Sequence, residues 1–169
     1  DWPREIDVDA FSEACSVLQG QHDLTNLCRL DEGKNPIRTI DECIPWKTEE
    51  GRIIGISVKS RAFLWNQVRR MASAISGVAS GRNSVEDIQS ALDNPDVPVD
   101  LGRSPSEGLM LWSIENPHTS NLIDSTLPET NWFTAPPDDV RQHNRWLSLA
   151  RLEMSTLLER EWMRLLKQA

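Results

Sequence analysis

An α/β protein of the α+β type, with an antiparallel or mixed sheet covered by helices, is the architecture this sequence predicts, and three observations predict it. Two apolar-rich segments, 37–46 and 52–59, flank a polar turn ending in Gly51; an amphipathic stripe runs over 62–80; a long helical pattern closes the chain from about Asp138. At 169 residues one domain removes roughly 70% of its extended surface from water and stands without disulfide or metal staples. The expected organisation is a domain over 1–115, a surface loop over 116–137, and a helix over 138–169 that packs on the same domain.

The elements follow in order. Phe11, Ala14, Cys15 and Leu18 recur at helical spacing behind Asp9, the expected cap, and Gly20 is available for the left-handed turn that ends a helix. The segments 37–46 and 52–59 form a β-hairpin around Lys47-Thr48-Glu49-Glu50-Gly51, with Ile54, Ile56 and Val58 expected on the buried face. Over 62–80, Leu64, Val68, Met71, Ile75 and Val78 fall at steps of four and three, so one stripe lies on the sheet and Arg69 projects at its edge. Gly81 closes that helix, Ser84 caps the next, and Val85, Ile88 and Leu92 give the latter its inner side. Alternation over 109–115 predicts a strand, with Leu109, Leu111 and Ser113 on one face and Met110, Trp112 and Ile114 on the other. The last helix carries Val140, Leu147, Ala150, Met154, Leu157, Leu158 and Leu165 along one side.

Charge narrows the function. The chain has a formal net charge of -8, yet residues 51–82 hold six cations, Arg52, Lys59, Arg61, Arg69, Arg70 and Arg82, and no Asp or Glu. Such a strip in an acidic surface concentrates an anionic ligand at one place, and a nucleic-acid backbone is the first suspect; the competing reading is a solvated helix face. No apolar run approaches the ~20 residues that cross a bilayer, and Asp1-Trp2-Pro3-Arg4-Glu5 lacks the pattern of a signal peptide, so a cytoplasmic protein without a membrane partner is expected. Cys15, Cys28 and Cys43 are odd in number and form no C-x-x-C pair, which points to buried thiols.

Other constellations are weaker. His22-Asp23 could supply two metal ligands, but the metal phosphohydrolases that use such a pair need a further His upstream, and His22 is the first in the chain; a turn histidine satisfying backbone groups is the expectation. A hydrolase built from Cys15 or Cys28 with His22 lacks any Gly-rich oxyanion feature. Ser80-Gly81-Arg82-Asn83-Ser84 could cradle a phosphate, although punctuation between two helices is favoured.

The string Phe63-Leu64-Trp65-Asn66-Gln67-Val68-Arg69-Arg70-Met71, followed by Gly77-Val78-Ala79-Ser80-Gly81, resembles the F-L-x-x-x-V-R-x-M…G-x-x-x-G segment of the TruA-type tRNA pseudouridine synthases. Three further pieces match in the same order: residues 18–24 resemble L-x-G-x-H-D-F, residues 37–40 the R-x-I strand, and residues 105–111 P-A-x-G-L-x-L. Together they cover about residues 9–115. The resemblance implies the C-terminal domain of such an enzyme, with a mixed α/β fold, usually a homodimer, that isomerises uridine in the anticodon stem-loop of tRNA without metal or organic cofactor. It implies that Arg69 pairs with the catalytic aspartate, that Leu109, Leu111 and Phe63 line the substrate pocket, and that Lys59, Arg61, Arg70 and Arg82 grip RNA. For Leu109 and Leu111, plain strand core is an equal alternative.

The sequence also departs from the family. Its aspartate belongs to an R-T-D-x-G-V-x-A motif in an N-terminal domain, and nothing here matches; in Arg38-Thr39-Ile40-Asp41 an Ile intervenes and no Gly follows. The Tyr that the family commonly supplies is absent, since the chain has none. The expectation is therefore a chain that needs the N-terminal catalytic domain of the same enzyme as partner and is inactive alone. A non-catalytic RNA-binding or dimerisation module on the same scaffold is the alternative, and an α+β protein with no RNA partner is a third.

Overall fold

The computed structural model describes residues 6–106, 108–114 and 134–166. Its elements are α1 (Val8–Val17), β1 (Gly20–Asp23), a 3-10 turn (Thr25–Leu27), β2 (Ile37–Lys47), β3 (Ile53–Ser60), α2 (Gln67–Ala79), α3 (Val85–Asp93) and α4 (Val140–Leu166). The strands form a three-stranded antiparallel sheet in the order β1-β2-β3. Helix α1 packs on β2, α2 and α3, while α2 reaches β3 and α3 touches β1. This is the expected α+β architecture with a long C-terminal helix.

The core forms where those elements meet. Phe11, Ala14, Cys15 and Leu18 interlock with Ile40 and Cys43 of β2, Met71 and Ile75 of α2, and Ile88 of α3. All three cysteines are free thiols and buried, as their spacing predicts. A hydrogen bond with Cys15 and burial both push the Cys43 thiol above its ordinary value, so it remains protonated and behaves as a small apolar group.

The hairpin closes as its turn residues dictate. Gly51 takes φ +84°, Thr48 N donates to Arg52 O at 2.8 Å, and Thr48 Oγ1 accepts from Arg52 N at 3.1 Å. The register slips between Trp46 and Lys47, so Ile53 joins the core alongside Ile56 and Val58, residues of opposite parity, in place of the expected Ile54. Beyond the slip Gly55 lies opposite Trp46, where a Cβ would approach the indole to 3.3 Å.

Helix α1 begins earlier than expected: Asp7, not Asp9, is its cap, and Asp7 Oδ1 accepts from Asp9 N and Ala10 N at 3.0 and 2.9 Å. Asp7 N is anchored to Ala79 O at 3.0 Å, which fixes the cap against the end of α2. Strand β1 is too short for its periodicity to be read in sequence, and pairing with β2 creates it. Helix α3 starts in a complete capping box, with Ser84 Oγ accepting from Asp87 N and Asp87 Oδ2 accepting from Ser84 N. Over its described part, 109–114, the expected strand is not a strand, and no strand among the described residues pairs with it; Leu109, Leu111 and Ile114 are exposed while Met110, Trp112 and Ser113 are half-buried, so the expected alternation of faces ends at Trp112.

Of the expected loop over 116–137, only 134–137 lies among the described residues. Helix α4 starts behind Asp139, whose Oδ1 accepts from Arg141 N and Gln142 N at 3.0 and 2.9 Å. Leu147, Ala150, Met154, Leu157 and Leu158 are half-buried on one face together with Trp146, whereas Val140, expected on that face, is exposed; the Leu165 side chain lies outside the described ones. Arg52 Nη1 and Trp146 Nε1 both donate to Thr134 O, at 2.8 and 3.0 Å.

Candidate functional site

The site is built at the start of α2. The stripe over 62–80 predicts a helix from Ala62, but the helix begins at Gln67, because the preceding residues are held in other ways. Trp65 bridges Arg29, accepting from Arg29 N at 2.8 Å, and Leu64 N donates to Gln67 Oε1 at 2.8 Å. Asn66 then turns the chain with φ 61° and ψ 5°, the one non-Gly residue among those described with positive φ. Left-handed backbone costs most L-residues roughly 1–2 kcal/mol, and Asn tolerates it better than others. Gln67, a polar residue that the apolar stripe overlooks, is fully buried and locked between Leu64 N and Met71 Sδ.

That turn delivers Arg69. Its Nε donates to Ser104 O at 2.7 Å and its Nη1 to Asn66 Oδ1 at 3.1 Å, while Ser104 N donates back to Arg69 O at 3.0 Å. Both partners of the guanidinium are neutral, and Arg69 forms no ion pair with a carboxylate among the described residues. The side chain is half-buried, with its orientation set from two sides.

The segment carrying Ser104 is itself strapped to the domain. Buried Asn26 donates through Nδ2 to Ala91 O, Asn94 O and Val97 O and accepts from Val99 N at 3.0 Å. Ser73 Oγ donates to Leu101 O at 3.0 Å, and Gly102, at φ +85°, passes so close to Ser73 Oγ that a Cβ would collide with it. Arg70 Nη1 pairs with Asp100 Oδ1 at 3.0 Å. The chain therefore runs along the polar side of α2 and brings the Ser104 carbonyl to Arg69.

The other residues singled out in the sequence are found in different states. Phe63 is 40% exposed, Leu109 47% and Leu111 74%, so the two leucines stand open instead of lining an enclosed cavity within the described residues. Lys59, Arg61 and Arg82 are exposed, and Arg70 pairs with Asp100. Burial raises the Cys28 thiol above 9.0 and Arg70 partly opposes this, so that cysteine stays protonated at neutral pH.

Two competing readings resolve in the structure. In the 80–84 link, Arg82 N and Asn83 N both donate to Gly77 O, Gly81 N to Val78 O and Ser84 N to Asp87 Oδ2, so these amides are spent on helix punctuation. His22 Nε2 lies 2.8 Å from Gln19 O, and Asp23 Oδ1 accepts from Thr25 N and Oγ1, the turn role expected of the pair. No cluster of His, Cys, Asp and Glu suited to a metal occurs among the described residues. No helix among them is long and apolar enough to cross a membrane. Asn26, Asn66, Arg29 and Trp65 escaped the sequence reading; only the position of Trp65 and Asn66 inside the motif hinted at them.

Comparison with known proteins agrees with the motifs. The sequence pattern of a family described as tRNA pseudouridine synthase matches residues 14–117. The chain is 31% identical over 154 residues to tRNA pseudouridine synthase A of Thermococcus kodakarensis, covering 91% of this chain and 55% of that protein. It is 33% identical over 113 residues to the protein of that name from Brucella ovis, 66% of this chain and 44% of the other. With the one from Methanocorpusculum labreanum it shares 29% identity over 113 residues, 67% of this chain and 39% of the relative. The chain thus spans about half the length of the curated relatives it matches.

Proposed function

Because the chain belongs to the tRNA pseudouridine synthase family, we propose that it is the C-terminal part of a TruA-type enzyme. In this reading it grips tRNA, completes the active site, and serves the isomerisation of uridine to pseudouridine in the anticodon stem-loop. The reaction breaks the glycosidic bond, turns the uracil, and joins a ring carbon to the same ribose, so no atom is gained or lost. It needs a carboxylate beside the base and sugar and a cation that holds that carboxylate ionised. It also needs a pocket for a base drawn out of its stack.

The observation that carries the proposal is Arg69. Its guanidinium is oriented by Ser104 O and Asn66 Oδ1, two neutral acceptors, and no carboxylate among the described residues pairs with it. A cation held this way is pre-organised for an incoming carboxylate, which we assign to the aspartate of an N-terminal domain of the same enzyme. Phe63, Leu109 and Leu111 supply apolar wall to the completed pocket, which accounts for their exposure without that domain. Lys59, Arg61 and Arg82 take phosphates; Arg70 does so by exchanging Asp100 for one. The chain alone is inactive in this account, and the whole enzyme works in the cytoplasm as a homodimer.

One second reading is a non-catalytic RNA-binding or dimerisation module on the same scaffold. Mixing the chain with a separately produced N-terminal domain and following conversion of uridine in a tRNA transcript separates the two. Turnover that requires both parts supports the enzyme reading; tRNA binding with no turnover supports the module.

A further inference from the structure

Trp65 and Arg29 form a second feature beside Arg69 that neither the motif nor the charge strip assigns. The Arg29 guanidinium lies over the Trp65 ring, 4.0 Å from its centroid, and Arg29 N donates to Trp65 O, so the pair is fixed through backbone and side chain together. A purely structural brace would bury its aromatic member, as Trp46 is buried at 8% exposed. Trp65 is 53% exposed despite carrying the guanidinium on one face. The indole therefore keeps apolar surface in water, immediately before the strained Asn66 turn whose side chain orients Arg69.

We propose that Trp65 and Arg29 form a nucleotide-binding stack for an unpaired base of tRNA other than the reacting uridine. The base lies on the open face of the indole, and the guanidinium edge of Arg29 donates to an adjoining phosphate. This rests on the reading above that the chain grips tRNA. Stacking on an aromatic face is tolerant of base identity, so the site contributes affinity and register while leaving sequence choice to other contacts. It requires unstacked nucleotides, which a tRNA loop offers and a continuous duplex does not.

The test measures binding of the full chain to a tRNA transcript and to a fully paired RNA duplex of equal length, across a salt series. Trp65→Ala weakens tRNA binding about tenfold, Trp65→Phe by less than about threefold, and neither changes duplex binding or the salt slope. Arg29→Ala weakens tRNA binding and lowers the slope of log affinity against log salt by about one. Trp65→Leu, which keeps bulk and removes the π-face, reproduces the alanine result if the alanine variant does not fold. Unchanged tRNA affinity in a folded Trp65→Ala or Trp65→Leu variant overturns the stack alone, as does an equal loss on tRNA and duplex. Failure of the unaltered chain to bind tRNA in a salt-dependent way overturns the RNA-gripping reading and the stack with it.

Discussion

Asn26 shows how far the site depends on residues remote from it in sequence. Its amide satisfies three carbonyls and one N–H of the 91–99 region and so fixes the start of the strap that ends at Ser104. Removing it takes a partner from the buried Ala91 O and from the part-buried Val97 O and Val99 N, while Asn94 O keeps its bond from Val97 N, and each buried group left unpaired costs about 1–3 kcal/mol. Asn26→Ala is expected to lower unfolding free energy by about 2–3 kcal/mol in urea denaturation and to loosen Arg69 as well. A loss below about 0.5 kcal/mol would mean that the strap is held elsewhere. Nothing in the sequence marks Asn26, because a polar residue between Thr25 and Leu27 carries no periodic signal and its partners lie 65 to 73 positions away. For Arg69 the motif singles out the position, while the groups that orient it, Ser104 O and Asn66 Oδ1, come only from the structure.

At the scale of elements, the start of α2 trades stability for placement. Asn66 holds a left-handed conformation and donates nothing to the cap, yet its Oδ1 orients Arg69. Asn66→Gly relieves backbone strain, so thermal stability is expected to stay level or rise by a few tenths of a kcal/mol, while uridine conversion by the completed enzyme falls. Asn66→Ala retains the strain without the polar contact and costs about 1–2 kcal/mol. Equal activity in Asn66→Gly and the unaltered protein would remove Asn66 from the positioning of Arg69. Helix α4 offers a pH test. Burial raises the Glu153 carboxyl above 4.5, with Arg52 partly opposing, so the folded state binds the proton more tightly and stability declines as pH rises from 4.5. Glu153→Gln is therefore expected to raise the melting temperature at pH 7, with the difference vanishing below pH 4.5; a constant difference at every pH would exclude ionisation as the cause.

The same scale shows what periodicity can and cannot carry. The hairpin turn, α3 with its Ser84 box and the start of α4 near Asp139 were readable because turn residues and caps mark them, whereas the slip at Trp46 and Lys47 put Ile53 in place of Ile54 against the hairpin's apolar spacing. The start of α2 was misread because Leu64 continues the apolar rhythm while Arg29, Gln67 and the Asn66 turn hold its neighbours out of the helix. Over 109–114 burial alternates only as far as Trp112 and no strand forms, since a ladder needs a neighbour that periodicity cannot supply.

For the molecule as a whole, an acidic chain of net charge -8 carries a stretch, residues 51–82, with six cations and no Asp or Glu, and Arg69 and Arg70 of that stretch meet the strap at Ser104 and Asp100. In the proposed reading, long-range repulsion would keep a polyanion from most of the acidic surface, so tRNA contact is expected at the basic stretch and is expected to weaken with salt. The central claim is that Arg69 acts on the carboxylate of a partner domain and adds little to tRNA affinity itself. The measurement that tests it most directly is single-turnover uridine conversion and tRNA affinity, taken together, for Arg69→Ala in enzyme completed with its N-terminal domain. The rate is expected to fall by about 10²–10³ while affinity changes by less than about threefold; an unchanged rate, or a loss confined to affinity, would contradict the role assigned to Arg69.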